Sequence, residues 1–324
     1  MSALWKTYDI LRDFLTERFV YTHLEAPRQD LSGQVILITG ANTGLGLENA
    51  RQLVVMKPSK LIITARNTEK GQAALKELQT LAPRGTIVQL EHLDLCSMDS
   101  VNKLSSKLLK EEKKLHVLVL NAGIGHCPAG KTEDGFDTMF QSNNLSHFLL
   151  VENLLPLLDK ASSAASPARI VGLSSLASKF TYSFSAAEDY KNMKNMQGYE
   201  FYSTSKLMVV VTMRGLARRF AKEGRNITTY AVHPGTVNTD FKAKYDNAIG
   251  RIFPIVYALV GRPLPDGAAT QTYVASAPEV QNITGKYWSN MRVTQMNIIA
   301  ESDELCDEFV GICEALVKKY QIKQ

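Results

Sequence analysis

The sequence has little cysteine, no long apolar run and no cluster of charge of one sign. Its four cysteines are far apart and form no CxxC motif and no His/Cys cluster: Cys96, Cys127, Cys306 and Cys313. This spacing argues against a disulfide scaffold or a metal site and is typical of reduced, structural thiols in a reducing compartment. Such staples are not needed, because a chain of 324 residues with 45% hydrophobic residues can bury a large core.

The charge balance bears on the kind of partner. The 37 lysines and arginines are scattered among 32 aspartates and glutamates. Nucleic-acid-binding proteins usually carry a basic stripe, so the sequence predicts no nucleic-acid partner. A formal surplus of +5 instead suits a small anionic ligand.

The first twenty residues, MSALWKTYDILRDFLTERFV, carry charges every few positions. Because they contain no continuous apolar core, we expect neither a signal peptide nor a membrane span there. Apolar residues recur there at intervals of three or four, at Leu4, Tyr8, Leu11 and Leu15. The pattern predicts an amphipathic helix within residues 1–30 that packs on the main domain or on a second subunit, with weak docking on a membrane surface as the alternative. We expect a cytoplasmic monomer or homodimer, peripheral on a membrane in that alternative.

From Gln34 onward, apolar runs alternate with helix-like stretches six times. The first of these runs, QVILIT at Gln34–Thr39, is short and unbroken, which is typical of a strand buried on both faces of a parallel sheet. The alternation predicts an α/β fold, a Rossmann-type doubly wound parallel sheet in a single domain over residues 31–324. Past Pro234 the alternation weakens and prolines accumulate, which favours a C-terminal substrate-covering segment. In such a sheet, ligands bind beyond the carboxyl ends of the strands.

The first predicted strand leads directly into a glycine-rich turn, TGANTGLG at Thr39–Gly46. Gly40 permits a tight turn, while Gly44 and Gly46 let the backbone and the next helix approach a pyrophosphate. Free N–H groups at the start of that helix supply partial positive charge. The turn therefore predicts a dinucleotide site. Its predicted contacts are Gly40, Asn42, Thr43, Gly44, Leu45 and Gly46.

The end of the second predicted strand, ITARN, bears on which dinucleotide is bound. An acidic residue there would hold a free ribose 2′-hydroxyl, but Thr64 and Ala65 occupy those positions. Arg66 follows, and a guanidinium can pair bidentately with a 2′-phosphate. We therefore predict NADP(H) as the cofactor. A solvated Arg66 that pairs with Glu69 is the alternative.

Six motifs follow one another along the chain. They are TGANTGLG, Asp94 in HLDL, NAG at Asn121–Gly123, Ser175 in GLSS, YSTSK at Tyr202–Lys206 and HPGTVNT. In this order and spacing they resemble the short-chain dehydrogenase/reductase family, from about Leu31 to Trp288. Each motif alone is weak, but six in register are specific. The long segment between the GLSS and YSTSK motifs, together with NLSHFLL, resembles the branch that contains retinol dehydrogenases and related lipophilic carbonyl reductases.

Tyr202 and Lys206 are four residues apart, so on a helix they share one face. A tyrosine with a pKa of about 10 is a poor proton donor at neutral pH. An ammonium about 4 Å away favours the phenolate by roughly 4 kcal/mol at an effective dielectric of 20, which could lower the tyrosine pKa by up to about three units. Burial opposes this shift, and the positive charge of an oxidised nicotinamide would assist it. The pair therefore predicts a tyrosine tuned for acid–base catalysis.

The predicted reaction interconverts a carbonyl and an alcohol by hydride transfer with the nicotinamide cofactor, while Tyr202 gives or takes the proton on the oxygen. Ser175 would bind that oxygen; Ser174 competes for this role, but the second serine of the pair matches the family position. The resemblance implies that Lys206 also binds the nicotinamide ribose. It further implies that Asn143, rather than Asn144, supports a water relay to Lys206.

The resemblance also implies further cofactor contacts, besides Tyr202 and Lys206. They are Asp94, Leu95, Asn121, Ala122, Gly123, Pro234, Gly235, Val237 and Thr239. The family often has a second asparagine before NAG, where this chain has Leu120, so the local hydrogen bonding of that loop is expected to differ. His147 and His233 are candidate acid–base groups, but we expect both to be structural because Tyr202 already has that role. No metal site is predicted.

The substrate is predicted from AIGRIFPIVYALVG, residues 248–261, within a flap expected at about residues 240–265. Its apolar content favours a lipophilic ketone or aldehyde, while a hydrophobic subunit contact or shallow membrane insertion are alternatives. The sequence thus predicts an NADP(H)-dependent carbonyl reductase. The alternatives are an NAD-dependent secondary-alcohol dehydrogenase and a non-catalytic scaffold that senses NADP(H).

Overall fold

A single eight-stranded sheet forms the centre of the fold. The computed structural model describes Thr16, Val20 and residues 23–125, 130–163, 165–193, 196, 199–237 and 261–322. The strands are β1 Val35–Ile38, β2 Lys60–Ala65, β3 Ile87–His92, β4 Val117–Leu120, β5 Ala168–Leu173, β6 Ile227–His233, β7 Lys286–Ser289 and β8 Arg292–Thr294. Their order is β3-β2-β1-β4-β5-β6-β7-β8, and every neighbouring pair is parallel except β7 and β8. The Rossmann-type α/β prediction is confirmed.

Helices connect and cover these strands. They are α1 Gly44–Val54, α2 Thr68–Leu81, α3 Met98–Glu111, α4 Thr138–Phe140, α5 Ser146–Ala161, α6 Asp189–Asn192, α7 Tyr199–Lys222, α8 Leu264–Ser276 and α9 Asp303–Val317. A π-helical turn at Gln141–Leu145 joins α4 to α5, and 3₁₀ turns occur at Leu176–Phe180, Pro278–Val280 and Ile298–Glu301.

The apolar pattern of the sequence explains this layering. All six residues of β5, ARIVGL, are buried, as expected for a strand covered on both faces. Helix α3 instead buries one stripe, Met98, Val101, Leu104 and Leu108, at intervals of three and four. Its first turn is capped by Ser97, whose hydroxyl accepts the Ser100 N–H. Buried side chains form one core on each face of the sheet.

The strand order reverses direction between β1 and β4, which creates a crevice at the carboxyl edge of the sheet. The carboxyl ends of β1 to β6 lie along this one edge because these strands are parallel. Five of the six predicted motifs stand at the ends of β1, β3, β4, β5 and β6, and the sixth, YSTSK, lies on α7. The fold therefore brings residues separated by up to about two hundred positions to a common site.

The C-terminal part departs from the expectation of a covering segment alone. Residues 286–294 add β7 and β8 to the sheet, and α9 packs along α7. Both strands are short and contain polar residues, so their sequence gives a weak signal. Most of the predicted N-terminal helix and flap, by contrast, lies outside the described residues.

Within the described ranges, no helix has the length and apolar character needed to cross a membrane. This finding includes the long helix α7.

Candidate active site

The glycine turn lies directly after β1 and packs on the segment that follows β4. Gly40 has φ +64°, and a Cβ on it would approach the Ala122 Cβ to 2.8 Å. Gly44 has φ +57°, with open space where a side chain would project. A Cβ on Gly46 would overlap the Asn121 side-chain nitrogen and the Gly40 carbonyl oxygen. Two of these glycines are therefore required by close backbone contact, and Gly44 by its left-handed conformation.

Asn121 and Thr39 join the two segments. The Asn121 amide nitrogen donates to the carbonyl oxygens of Thr39, at 2.9 Å, and Gly40, at 3.2 Å. In return, the Ala122 N–H donates to the Thr39 hydroxyl at 3.0 Å. The turn is also bound to β2, because the Gly40 N–H donates to the Thr64 hydroxyl at 3.1 Å. These bonds fix the shape of the crevice on both of its sides.

The crevice has the features that a dinucleotide requires. Helix α1 begins at Gly44, after Thr43, whose side chain makes no capping hydrogen bond, so N–H groups of the first turn are available to an anion. The Asn121 side-chain oxygen (Oδ1) is buried and finds no hydrogen-bond partner within the part of the chain that the structure describes. A buried acceptor without a partner costs about 1–3 kcal/mol, which a bound ligand could offset. The turn residues Asn42 and Leu45 are partly exposed beside these groups.

The carboxyl ends of β2 and β3 form one side of the crevice. Thr64 and Ala65 are buried, whereas Arg66 is exposed just beyond the strand. Among the described residues, Arg66 forms no ion pair, including the alternative pair with Glu69. Asp94 accepts the Cys96 N–H at 2.9 Å, which shapes the turn after β3. The next residue, Leu95, is buried.

The two serines after β5 have different surroundings. Ser174 is buried, and its hydroxyl donates to the Lys206 carbonyl oxygen at 2.8 Å. Ser175 is partly exposed, and its hydroxyl oxygen accepts the Ala177 N–H at 3.1 Å. A hydroxyl that accepts this bond keeps its own proton for another partner. Ser175 is therefore the serine that can reach a ligand.

Tyr202 and Lys206 lie on one face of α7. The Lys206 Nζ atom is 5.8 Å from the centroid of the Tyr202 ring. The same ammonium donates to the Leu173 carbonyl oxygen, at 2.9 Å, at the carboxyl end of β5. It also lies beside Gly123, because a Cβ on that residue would approach Nζ to 3.4 Å. The pair is thus next to the crevice, between the segments that follow β4 and β5.

Burial has a large effect on the lysine. Lys206 is 4% exposed, and desolvation lowers its pKa from 10.5 to about 8. The amine is still mostly protonated at neutral pH, because its pKa remains above 7. The site therefore holds a desolvated cation next to a partly exposed phenol.

Asn143 lies in the π-helical turn and points towards the crevice. Its side-chain oxygen accepts the Ile124 N–H at 2.8 Å, and its amide donates to the Ile124 carbonyl, at 3.0 Å, and to the Ser205 hydroxyl, at 3.1 Å. Asn144 has another environment: its oxygen accepts the Thr212 hydroxyl at 2.8 Å. The two asparagines therefore point to different parts of the fold, and Asn143 is the one beside Lys206. Such π turns are frequent at functional sites.

His147 is a buried, neutral group behind the site. Its Nε2 lies 3.0 Å from the Thr39 hydroxyl oxygen. Burial lowers its pKa to about 3, the Lys206 cation acts in the same direction, and a hydrogen bond to the Asn143 backbone opposes them. His147 therefore connects the glycine turn to the π turn and carries no charge at neutral pH.

The segment after β6 forms the opposite side of the crevice. Gly235 has φ +83°, and a Cβ on it would approach the Arg262 guanidinium to 2.7 Å. Pro234 and Val237 are buried in this segment. Thr239, predicted to contact the cofactor, lies outside the described residues.

The structure adds residues that the motifs did not indicate. Thr39 and Thr64 hold the glycine turn through their hydroxyls, and Gln271 of α8 donates to the Leu45 carbonyl at 3.1 Å. Thr39 stands inside the TGANTGLG motif and could have been found there. Gln271 could not, because 226 positions separate it from Leu45.

A comparison with known families decides where this arrangement belongs. The family model described as short chain dehydrogenase matches residues 34–249, more than half of the chain. The chain belongs to this family. Its members bind a nicotinamide cofactor, and the chain is an oxidoreductase of this kind.

Curated relatives specify the branch. Retinol dehydrogenase 12 of Homo sapiens is 32% identical over 319 residues, which cover 97% of this chain and 95% of that protein. Retinol dehydrogenase 13 of Mus musculus is 36% identical over 283 residues, or 85% of this chain and 81% of the relative. The short-chain dehydrogenase TIC 32 B of Brassica napus, described as chloroplastic, is 35% identical and covers 84% of this chain and 85% of its own length. The chain described here therefore lies in the retinol dehydrogenase-like branch of the family.

Solved structures share the fold. A putative uncharacterized protein from Mycobacterium paratuberculosis has a TM-score of 0.68 at 25% identity, over 91% of this chain and 96% of its own. The NADPH-bound carbonyl reductase from chicken fatty liver has a TM-score of 0.60 at 21% identity, over 82% and 99%. At these identities the likeness supports the architecture described above.

Proposed function

We propose that this short-chain dehydrogenase is an NADP(H)-dependent reductase of lipophilic ketones or aldehydes, with Tyr202 as the acid–base group. The observation that carries the proposal is the desolvated Lys206 ammonium 5.8 Å from the centroid of the Tyr202 ring, at the carboxyl edge of the sheet. At about 6 Å and an effective dielectric of 20, a cation favours a phenolate by about 3 kcal/mol. This is enough to make proton transfer from a tyrosine practicable near neutral pH.

The bound nicotinamide would supply the hydride for reduction and accept it in the reverse reaction. Tyr202 gives its phenolic proton to the carbonyl oxygen as the carbon is reduced, and takes a proton from the alcohol in oxidation. Ser175 donates a hydrogen bond to the same oxygen and orients the carbonyl. Lys206 stabilises the phenolate that remains on Tyr202, while Asn143 supports the relay that restores the proton.

The crevice residues would hold the cofactor. The first turn of α1 and the glycine turn, with Gly40, Gly44 and Gly46, would bind the diphosphate. Asp94 and Leu95 would lie beside the adenine, and the Asn121–Gly123 segment would flank the cofactor at the centre. Pro234, Gly235, Val237 and Thr239 would contact the nicotinamide amide and the diphosphate.

Arg66 supports the choice of NADP(H). It is exposed just beyond β2, and the two positions before it carry no acid that would repel a 2′-phosphate. The Arg66→Ala variant should lose about 10- to 100-fold in NADPH affinity, because a charge-assisted pair contributes about 1.5–3 kcal/mol, while NADH affinity stays unchanged. Equal losses for both cofactors would exclude the role of Arg66.

The substrate class rests on relatives and composition. The relatives named retinol dehydrogenases carry a lipophilic alcohol in their name. The apolar stretch at residues 248–261 also favours a lipophilic ligand.

NADPH oxidation measured against a panel of retinoid, steroid, aliphatic and aromatic carbonyls tests the activity. We expect turnover with lipophilic members, abolished in Tyr202→Phe and retained in Tyr182→Phe, a control at a residue that is 62% exposed. Tight NADPH binding without turnover across the panel would instead support a cofactor-sensing scaffold. Turnover only with NAD and secondary alcohols would support the NAD-dependent alternative.

A further inference from the structure

His233 ends β6 and lies between the two segments that border the site. It is buried, and its Nδ1 atom faces two backbone N–H groups. The Leu176 N–H donates to Nδ1 at 3.0 Å, and the Gly235 N–H donates to the same atom at 3.3 Å. A ring nitrogen that accepts hydrogen bonds carries no proton, so Nδ1 serves as the acceptor atom of the ring.

The two donors belong to different loops. Leu176 directly follows Ser175 and begins the 3₁₀ turn Leu176–Phe180. Gly235, with φ +83°, belongs to the segment assigned to the nicotinamide side of the crevice. One nitrogen atom therefore couples the substrate-binding serine to the cofactor-binding loop.

Other contacts hold the far side of the Ser175 loop. The Tyr287 hydroxyl donates to the Ser175 carbonyl oxygen at 3.0 Å. Asn297 donates to the carbonyl oxygens of Ser178 and Thr181, each at 2.9 Å. In all of these bonds a carbonyl oxygen of the loop is the acceptor. His233 instead accepts a bond from a backbone N–H of the loop, that of Leu176, next to the serine. Loss of the bond between His233 and the Leu176 N–H would leave the Ser175 loop attached through its carbonyl oxygens but free to rotate at Leu176.

We infer that His233 is a positioning residue for Ser175, with its Nδ1 acceptor fixing the serine relative to the Pro234–Gly235 segment. This inference rests on the proposed function, in which Ser175 binds the substrate oxygen. His233 is not an acid–base group through this atom, because both hydrogen bonds occupy it. Displacing a reacting group by about 1 Å can cost about 100-fold in rate, so the coupling has a measurable consequence.

Three variants separate the acceptor from the bulk of the ring. His233→Asn carries an amide oxygen at about the distance of Nδ1 from the backbone, so it can accept the same bonds. His233→Gln carries the same amide one carbon farther out, and His233→Leu has no acceptor. We expect His233→Asn to keep kcat within about threefold, and His233→Gln and His233→Leu to lose about 10- to 100-fold in kcat with a smaller change in KM.

Amide hydrogen exchange provides a readout that needs no turnover. The Leu176 and Gly235 amides should exchange faster in His233→Gln than in His233→Asn, when the two variants are measured equally far below their melting temperatures. If His233→Leu does not fold, the Asn and Gln variants still decide the question. Equal kcat and equal exchange in these two variants would overturn the inference. Failure of the proposed function has another signature: the wild-type protein would turn over no carbonyl, whatever the exchange pattern.

Discussion

Lys206 is a buried cation whose burial carries a cost in stability. Its ammonium is desolvated and, among the residues that the structure describes, makes one hydrogen bond, to the Leu173 carbonyl oxygen. A pKa lowered from 10.5 to about 8 corresponds to about 3 kcal/mol by which the folded state disfavours the charged form. A hydrogen bond to a charged group returns only about 1.5–3 kcal/mol. Lys206 therefore brings folding no net gain, as the proposed role beside Tyr202 would lead one to expect.

The Lys206→Met variant should be inactive and, without cofactor, more stable than the wild-type protein at pH 7 by about 1–2 kcal/mol. Below about pH 8 both the folded and unfolded wild-type states are protonated, so the folded state bears the full burial cost. As the pH rises from about 8 to about 10.5, the folded state loses its proton while the unfolded state keeps its own, so the burial cost falls and disappears near pH 10.5. Urea unfolding from pH 7 to 10.5 measures this, and the advantage of the variant should shrink over that window.

Lys222→Met is the matched control, because Lys222 is 64% exposed in its side chain and lies on the same helix. Its stability should stay within about 0.5 kcal/mol of the wild-type value. A Lys206→Met protein less stable than wild type at pH 7 would contradict this interpretation of the lysine.

Residue roles were only partly readable from the sequence. Tyr202 and Lys206 are four positions apart, so their proximity follows from helix geometry. The contrast between Ser174 and Ser175 came from resemblance, and the coordinates supply its physical basis in the bond from Ser174 to the Lys206 carbonyl. The acceptor role of His233 was not readable, because its partner Leu176 is 57 positions away.

Among the structural elements, the glycine turn shows two opposing effects at Gly46: helix propensity, which favours alanine, and steric overlap, which favours glycine. In a helix, alanine is favoured over glycine by about 1 kcal/mol. At Gly46, however, a Cβ would overlap the Asn121 side chain and the Gly40 carbonyl, and the Asn121 amide is held there by its hydrogen bonds to Thr39 and Gly40. Overpacking of this kind costs about 1–3 kcal/mol, so the steric effect outweighs the helix propensity.

We therefore expect Gly46→Ala to weaken NADPH binding by at least about 100-fold and to lower stability by about 1–2 kcal/mol. Gly33→Ala is the control: Gly33 has φ +83° and open space around it, so it should cost about 1–2 kcal/mol in strain and leave affinity unchanged. Isothermal titration and urea unfolding of both variants separate binding from stability. An NADPH affinity that falls equally in both would show that general destabilisation is responsible.

The helices and strands differ in how clearly the sequence predicted them. β1 and β4, VILI and VLVL, are unbroken apolar runs and were evident, as was β5, ARIVGL, which only Arg169 interrupts. The π turn at Gln141–Leu145 was not, because it interrupts a stretch that reads as one helix. Strands β7 and β8 were missed because KYWS and RVT are too short and too polar to show a period.

In the molecule as a whole, the C-terminal helix α9 supports the helix that carries Tyr202 and Lys206. Arg218 of α7 binds Asp307 of α9 with two bonds, at 2.8 and 3.1 Å. The helices approach closely at Gly215, where a Cβ would come within 2.5 Å of Val310 and 2.7 Å of the Cys306 carbonyl oxygen. Exposed ion pairs contribute little, so the close packing at Gly215 should dominate this interface.

Gly215→Ala should lower the free energy of unfolding by about 2–3 kcal/mol, because α9 must move away from α7. Gly311→Ala, on α9 with open space around it, should raise that free energy by up to about 1 kcal/mol through helix propensity alone. Chemical denaturation of the two variants measures the difference. Similar effects of both substitutions would mean that the helices do not pack as described.

The central claim is that Tyr202, tuned by Lys206, transfers a proton in concert with hydride transfer from the nicotinamide. The most direct measurement is a single turnover with NADPH deuterated at the transferable position and a lipophilic carbonyl, followed by mass spectrometry of the alcohol. We predict deuterium on the carbinol carbon with the wild-type protein, and a rate lower by at least about 1,000-fold in Tyr202→Phe at unchanged NADPH affinity. A Tyr202→Phe protein that turns over at the wild-type rate would contradict the claim, as would an alcohol product without deuterium.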